Sequence, residues 1–274
     1  MQPSQTTDAI FILIRGLGRE SGHWGRFPEA LEKKLPGVVV RCIDLPGTGE
    51  NLAMQSPVKM RALSEFVRNE TQFLRSKMKI ENAKIFVLAP SLGGMITTDW
   101  MLNYPRDLSG AILINTSFAS WSTIWQRLQP QVYHHVLKIV LNEKDSFVRE
   151  SEVVQMVSNH KDKVLVHAKE WAQVFAARPI RNETILRQLL AARDFTPPKT
   201  KPETPVLLLN SVNDRMVDPK CSEIIQRHWD CPMFKHPWAG HDIPLDDPNW
   251  VIDKTVAWYE SLGESYQMAF AVES

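Results

Sequence analysis

The sequence predicts an α/β fold in which a mostly parallel sheet of about six strands has helices on both faces. Two observations support this prediction. Short, almost wholly apolar runs are typical of strands that are buried on both faces. These runs alternate along the chain with segments of helical period, such as the amphipathic segment 60–77. The predicted strands span residues 9–14, 38–43, 85–88, 110–114, 206–209 and 232–235.

The composition is that of an ordinary globular enzyme. The chain has 274 residues, of which 43% are apolar and 23% are charged, so it can bury a large core. Its net charge of +1 gives no reason to expect nucleic acid or an anionic membrane as a partner. A small-molecule substrate is therefore expected, and the sequence leaves the oligomeric state open.

Cysteine usage and the N-terminal segment predict a cytoplasmic protein. The three cysteines, Cys42, Cys221 and Cys231, have no framework spacing, so free thiols in a reducing compartment are the simplest interpretation. The first residues contain neither a basic region nor a cleavable apolar run. No segment approaches the ~20 apolar residues that are needed to span a bilayer.

The first predicted strand leads into a glycine-rich loop at 15–24. Such a loop lets backbone amides turn towards a site at the carboxyl edge of a sheet. Its spacing matches neither the dinucleotide-binding fingerprint nor a P-loop. A helix is predicted at 27–34, before the stop signal Pro36-Gly37.

The second strand ends in the turn Asp44-Leu45-Pro46-Gly47-Thr48-Gly49. Proline and glycine are typical of a tight turn, so a structural role is favoured here over a binding role.

The stretch 84–98 reads KIFVLAPSLGGMITT and predicts a buried strand, a sharp turn and a helix. A serine on such a turn, here Ser91, has its hydroxyl pushed clear of the sheet, and its neighbours must be small. Gly93 and Gly94 meet this need, and Ala89 stands where a glycine is usual. Taken alone, the pattern is equally compatible with a chance turn leading into a helix.

Residues 118–201 predict a helical insertion between two strands, of a size expected for a lid. Helices are expected at 131–141, 150–160, 164–177 and 183–193. The core would then comprise residues 1–117 and 202–274. Aromatic residues such as Trp121 and Trp125 are more often packing than ligand contacts, yet one face of a lid must line the pocket that it covers.

The last third of the chain restores the sheet pattern. Strand 206–209 is followed by a loop that contains Asp214, and helix 220–229 comes next. A short edge strand at 232–235 precedes a loop with His241. A final amphipathic helix is predicted at 250–262, and the tail 263–274 has no decisive pattern.

Ligands of parallel sheets bind at the carboxyl ends of the strands, where Ser91, Asp214 and His241 are all expected. Asp214 is a better candidate acid than Asp218, because Pro219 and a helical run follow Asp218 and indicate a helix cap. His241 follows a glycine in a loop. For His228, within a helix, and His236, at the end of the edge strand, surface roles suffice.

These motifs resemble those of the α/β-hydrolase superfamily, in its lid-bearing esterase-like branch, from residue 10 to 262. The matching motifs are Arg15-Gly16-Leu17-Gly18 with Trp24, Asp44-x-Pro46-Gly47-x-Gly49, Asp214-Arg215-Met216-Val217 and Gly240-His241-Asp242-Ile243-Pro244. Three features depart from the pattern. Arg15 replaces the common histidine, Ala89 replaces a glycine, and the N-terminal segment is short for the two strands that normally begin the sheet.

The resemblance implies a Ser91–His241–Asp214 triad, with the Leu17 and Leu92 amides as the oxyanion hole. It implies a serine hydrolase that forms an acyl-enzyme without a cofactor or metal, and a carboxylesterase for small esters is the leading expectation. C–C bond hydrolases, peptidases, thioesterases and acyltransferases share the triad and stay open as alternatives. Arg15, Trp121 and Trp125 are candidate substrate-binding residues. A cation at Arg15 also leaves open a protein that binds an anionic ligand without turnover.

Overall fold

The structure is a computed structural model that describes residues 7–141 and 145–272, with side chains described for 7–139, 141 and 145–263. Its centre is a six-stranded sheet in which every neighbouring pair is parallel, in the order β2-β1-β3-β4-β5-β6. The strands are β1 (Ala9–Ile14), β2 (Val38–Ile43), β3 (Lys84–Pro90), β4 (Leu108–Ile114), β5 (Val206–Ser211) and β6 (Met233–His236). This confirms the predicted fold class.

Both faces of the sheet are covered, which explains why the strands are apolar without alternation. All six residues of β1 are fully buried. Ile12 belongs to one core cluster with Leu63 and Trp100, whereas Leu13 belongs to a second cluster with Leu31. Successive side chains of a strand point to opposite faces, so an apolar residue is required at every position.

Eleven helices are found within the described residues. They are α1 (Phe27–Lys34), α2 (Met60–Met78), α3 (Leu92–Asn103), α4 (Ile124–Arg127), α5 (Tyr133–Leu141), α6 (Ser146–Val157), α7 (Val164–Ala177), α8 (Asn182–Arg193), α9 (Lys220–Trp229), α10 (Ile243–Asp246) and α11 (Pro248–Val272). The last helix runs through the tail for which the sequence has no decisive pattern; residues 273 and 274 of that tail lie outside the described range.

Helices α4 to α8 form the insertion between β4 and β5 that the sequence predicts. Helices α5 to α7 share a small core in which Val154 and Ala168 are fully buried beside Trp171, whereas Ala191 of α8 belongs to the main core. The insertion therefore buries apolar surface both within itself and against the rest of the fold. The bounds 118–201 stay a prediction, as does its role as a lid.

The strand order reverses direction between β1 and β3. In open parallel sheets, a crevice forms outside the carboxyl ends of the strands at such a switch point. The loop after β1 begins with Arg15, and Ser91 follows β3 directly. The fold therefore places these two segments on either side of the crevice.

No described helix combines the length and the apolar character that crossing a bilayer requires.

Candidate active site

Ser91 occupies a strained turn between β3 and α3. Its φ of 52° lies in the left-handed region, which an L-residue adopts at a cost. A β-carbon placed on Gly93 would lie 2.6 Å from the Ile14 carbonyl oxygen, and one on Gly94 would lie 2.9 Å from Thr116 Cβ. Both positions therefore need glycine, because the helix starts in contact with the ends of β1 and β4.

The glycine loop after β1 passes directly beside Ser91. A β-carbon on Gly16 would lie 3.4 Å from Ser91 Cβ and 4.0 Å from its hydroxyl oxygen. Leu92 is the first residue of α3, where backbone amides have no intrahelical acceptor. Within the described residues, the amides of Leu17 and Leu92 donate to no protein group. The amides of Leu17, in the loop after β1, and Leu92, at the start of α3, are thus available as donors beside Ser91.

His241 and Asp214 form a buried pair. His241 Nδ1 lies 2.7 Å from Asp214 Oδ2, and both side chains are almost fully enclosed. The second carboxylate oxygen accepts hydrogen bonds from the amides of Met216, at 2.8 Å, and Val217, at 2.9 Å. These amides fix the orientation of the carboxylate, which in turn fixes the imidazole ring.

The pKa of His241 is raised above its ordinary value. Burial is the largest influence and favours the neutral ring, but the charge of Asp214 and its hydrogen bond outweigh it. Asp242 adds to the increase, and Arg15 opposes it. The Asp214 carboxylate therefore stabilises the protonated imidazolium that a general base forms when it accepts a proton.

Asn115 joins the histidine loop to the end of β5, directly after the residue that accepts from the Ser91 amide. Its side-chain nitrogen donates to the His241 carbonyl oxygen at 2.8 Å, and its side-chain oxygen accepts from the Ser211 amide at 2.9 Å. The preceding residue, Ile114, accepts a hydrogen bond of 2.8 Å from the Ser91 amide. Asn115 has a φ of 46°, and asparagine tolerates this region better than most residues. Sequence reasoning missed this residue, although an asparagine directly after a buried strand was its signal.

The insertion contributes a second set of contacts to the same loops. Asn159 donates to the carbonyl oxygens of Asn213, at 2.9 Å, and Ala239, at 3.0 Å, and so bridges the aspartate loop and the histidine loop. Asp246 accepts from the amides of Asn159, at 2.9 Å, and Gly240, at 2.6 Å. The position of the imidazole therefore depends on the insertion as well as on the sheet.

Arg15 lies in an ion pair with Asp242, the residue after His241. Both terminal nitrogens of the guanidinium donate to the two carboxylate oxygens, and the arginine is 3% exposed. The guanidinium carbon also lies 4.6 Å from the ring centre of Trp24 and 5.8 Å from that of Trp171. This arrangement favours a structural role over the predicted contact with substrate, because the charge is already neutralised.

Beside Arg15, a buried polar cluster connects the loop after β1 to the insertion. Arg19 pairs with Glu150 of α6 at 2.5 Å and lies 3.1 Å from His23 Nε2. The pKa of His23 is lowered well below its ordinary value by burial and by the charges of Arg19 and Arg15. Its Nδ1 faces the backbone of Glu20, so His23 is occupied within its own turn. It is therefore a poor alternative to His241 as a base.

The described contacts of the two predicted tryptophans involve none of Ser91, Asp214 and His241. Trp121 packs in the main core against Phe118 and Trp229, and its indole nitrogen donates to the Pro197 carbonyl oxygen at 3.2 Å. Trp125 is 60% exposed on α4. Trp121 therefore fills a structural position, and a contact of Trp125 with substrate stays a prediction.

One assignment from the sequence is wrong. His236 is 1% exposed, so it is not a surface residue. Its Nδ1 accepts a hydrogen bond from the Ala239 amide at 2.9 Å, and its Nε2 lies 3.2 Å from Asp247. The pattern was misleading because an edge strand is exposed along most of its length, whereas the turn that follows β6 folds over its last residue. His228 is exposed, as expected.

The other structural interpretations agree with the geometry. The Asp44 carboxylate accepts from the amides of Ser21, at 2.6 Å, and Glu50, at 3.0 Å, as a turn-stabilising residue would. Asp218 accepts from the Lys220 amide at 2.9 Å, at the start of α9.

All three cysteines are free thiols, and burial raises their pKa values, to about 12 for Cys42 and about 11 for the other two. Within the described ranges, no cluster of three metal-ligating side chains is found.

A comparison with known families finds a match over most of the chain. A sequence profile described as serine aminopeptidase, S33, matches residues 5–236. The chain belongs to this α/β-hydrolase family. The matched range contains Ser91 and Asp214 and ends before His241. No curated protein matches significantly.

Solved structures share the fold at low sequence identity. An esterase from Thermogutta terrifontis is 19% identical, with a TM-score of 0.68 and coverage of 94% of this chain and 91% of that one. A hydrolase from Pseudomonas aeruginosa is 17% identical, with a TM-score of 0.70 and coverage of 92% and 90%. A thioesterase from Streptomyces coelicolor is 14% identical, with a TM-score of 0.62 and coverage of 93% and 86%. These likenesses extend to the fold alone.

Proposed function

We propose that this protein is a serine hydrolase that cleaves small carboxylic esters through an acyl-enzyme. The observation that carries the proposal is the buried His241–Asp214 pair at 2.7 Å, held at the same sheet edge as a serine with a left-handed φ. An imidazole whose far nitrogen is anchored by a carboxylate is the base that a serine nucleophile needs.

The reaction would proceed in two halves. Ser91 Oγ attacks the ester carbonyl carbon while His241 Nε2 accepts the hydroxyl proton. The amides of Leu17 and Leu92 hold the negative oxygen of the tetrahedral intermediate. His241 then donates its proton to the departing alcohol, and a water molecule activated by His241 releases the acid from Ser91. No cofactor is required by this sequence of steps.

Ester cleavage is favoured over aminopeptidase activity by the charges around the site. A peptidase that removes N-terminal residues needs a carboxylate to hold the positive amino group of its substrate. Near the serine loop, Asp242 is paired with Arg15, and Glu150 is paired with Arg19. These two carboxylates therefore already have cationic partners, which suits an uncharged substrate.

A panel of esters, thioesters and aminoacyl anilides, measured with wild type and with Ser91→Ala, tests the proposal. We expect the highest kcat/KM for short p-nitrophenyl esters and a loss of at least ~10³-fold in the variant. Equal turnover by both proteins would reject the nucleophile. A preference for aminoacyl anilides would keep the nucleophile and replace esterase by aminopeptidase.

A further inference from the structure

Gln188 of α8 connects the insertion to the loop that carries the Leu17 amide. Its side-chain oxygen accepts a hydrogen bond of 2.9 Å from the Gly18 amide. A backbone amide can only donate, so the atom that faces it must be the oxygen of the glutamine. Gln188 is 0% exposed and lies 170 residues from Gly18 in the sequence.

The glycine that Gln188 holds is the bend of the loop. The Arg19 amide donates to the Gly16 carbonyl oxygen at 3.3 Å, which closes a tight turn with Leu17 and Gly18 at its centre. Gly18 has a φ of +63°, a value that glycine adopts without strain. Fixing the Gly18 amide fixes the peptide plane that joins it to Leu17. The Leu17 amide lies in the preceding peptide plane, together with the Gly16 carbonyl that accepts from Arg19. The bond to Gln188 therefore acts on Leu17 by anchoring the whole turn to α8.

Packing alone does not explain a glutamine at this position. Its side-chain nitrogen is enclosed and finds no partner within the described residues, which is unfavourable for stability. The surroundings of Gly18 are apolar, since Ile185 and Ile180 lie 3.3 Å and 3.7 Å from the position that a β-carbon on Gly18 would occupy. An apolar side chain of similar size, such as methionine, would fit these surroundings. The feature that only the glutamine supplies is the acceptor for Gly18.

We propose that Gln188 is a positioning residue that aligns Leu17 as an oxyanion donor, so that the insertion completes the oxyanion hole. This inference rests on the proposed hydrolase function. Without the acceptor on α8, the turn is no longer anchored to the insertion and can shift as a unit, so the Leu17 amide leaves the position in which the tetrahedral intermediate needs it. Substrate binding in the ground state is affected much less, because the planar carbonyl does not yet carry the charge.

The test compares Gln188→Met and Gln188→Asn with wild type, using p-nitrophenyl acetate and the inhibitor phenyl trifluoromethyl ketone. Methionine removes the acceptor at similar volume, and asparagine is too short to reach Gly18, so either folded variant suffices. The ketone forms a hemiketal with a serine nucleophile and places an oxyanion in the hole. We expect kcat to fall about 10- to 100-fold, KM to change less than about threefold, and the inhibition constant to rise in parallel with the loss in kcat/KM.

Gln173→Met, at an exposed position of α7, is the matched control and should leave all values unchanged. Unchanged kcat and unchanged inhibition in a folded Gln188 variant would overturn the inference. So would a loss of activity that only follows a lower thermal midpoint. If wild type shows no hydrolysis that depends on Ser91, the proposed function fails instead, and the Ser91→Ala protein reveals this separately.

Discussion

At the scale of single residues, the chemistry of His241 is set by two opposing effects. Its enclosure favours the neutral ring, whereas the charge and the hydrogen bond of Asp214 favour the protonated ring and prevail. Because the folded-state pKa is raised, protonation of His241 stabilises the fold below the unfolded value of about 6.5. This contribution is lost as the pH rises through the folded-state pKa.

The same balance predicts the pH profile of hydrolysis. His241 must be neutral to accept the serine proton, so kcat/KM should rise with pH, with a midpoint above about 6.5. In Asp214→Asn the effect of burial remains without the carboxylate, so the midpoint should move below about 6.5 while kcat falls about 10³- to 10⁴-fold. Asp218→Asn is the control and should change neither value. A midpoint that stays in place in Asp214→Asn would contradict the assignment of the acid.

Arg15 gives a second prediction at this scale. Arg15→Gln leaves the Asp242 carboxylate buried without its partner, so the free energy of unfolding should fall by about 3 kcal/mol or more. KM for acidic and neutral esters should change by the same factor. Arg41→Gln, which removes a half-exposed pair with Glu32, should change stability by less than about 1 kcal/mol. A selective rise in KM for acidic esters would instead make Arg15 a substrate-binding residue.

At the residue scale, the sequence predicted the residues whose role follows from their own side chain and turn. It did not predict the residues whose role depends on a partner far away in the chain. Ser91, Asp214 and His241 each carry a reactive group in a turn that follows a strand. The local sequence was therefore enough to predict them as site residues. Arg15 and Asp242 are 227 positions apart, and no pattern in either segment indicates the other. The burial of His236 and the bridging role of Asn159 likewise depend on which loops meet.

At the scale of elements, the strand-turn-helix unit around Ser91 is held by close backbone contacts. Gly93→Ala would force a β-carbon against the Ile14 carbonyl oxygen, at 2.6 Å, where backbone must move. We expect the free energy of unfolding to fall by about 2–3 kcal/mol, with loss of activity from the displaced loop. Chemical denaturation measures the first effect.

Gly263→Ala is the matched control for this prediction. Gly263 lies on α11 with no atom within 4 Å of an added β-carbon, so alanine should be neutral or stabilising by up to about 1 kcal/mol. Equal stability of Gly93→Ala and wild type would show that α3 does not start against β1 as described.

Whole elements were the most predictable part of the fold. The bounds of β1, β2 and α1 agree with the sequence pattern at both ends. Glycine or proline follows each of these elements within three residues and marks its end. Boundaries were less accurate where tertiary contacts extend an element. β5, predicted to end at residue 209, continues through Asn210 and Ser211, which pair with β6.

At the scale of the whole molecule, both the insertion and the sheet hold the loops of the site in place. The sheet supplies the three strand ends, while Asn159 and Gln188 of the insertion hold the histidine loop and the loop after β1. The sequence predicted an insertion of this kind, since helical period replaced strand pattern over about eighty residues. Helical periodicity does not show which side chains of the insertion contact the loops of the site. The sequence therefore does not predict which substrate the insertion selects.

The most direct test of the central claim is covalent labelling of the folded protein with a fluorophosphonate, followed by intact-mass and peptide analysis. The proposed mechanism predicts one adduct per chain on Ser91, and no adduct in Ser91→Ala or in denatured wild type. Labelling that is absent in the folded protein, or unchanged in Ser91→Ala, would contradict the assignment of Ser91 as the nucleophile.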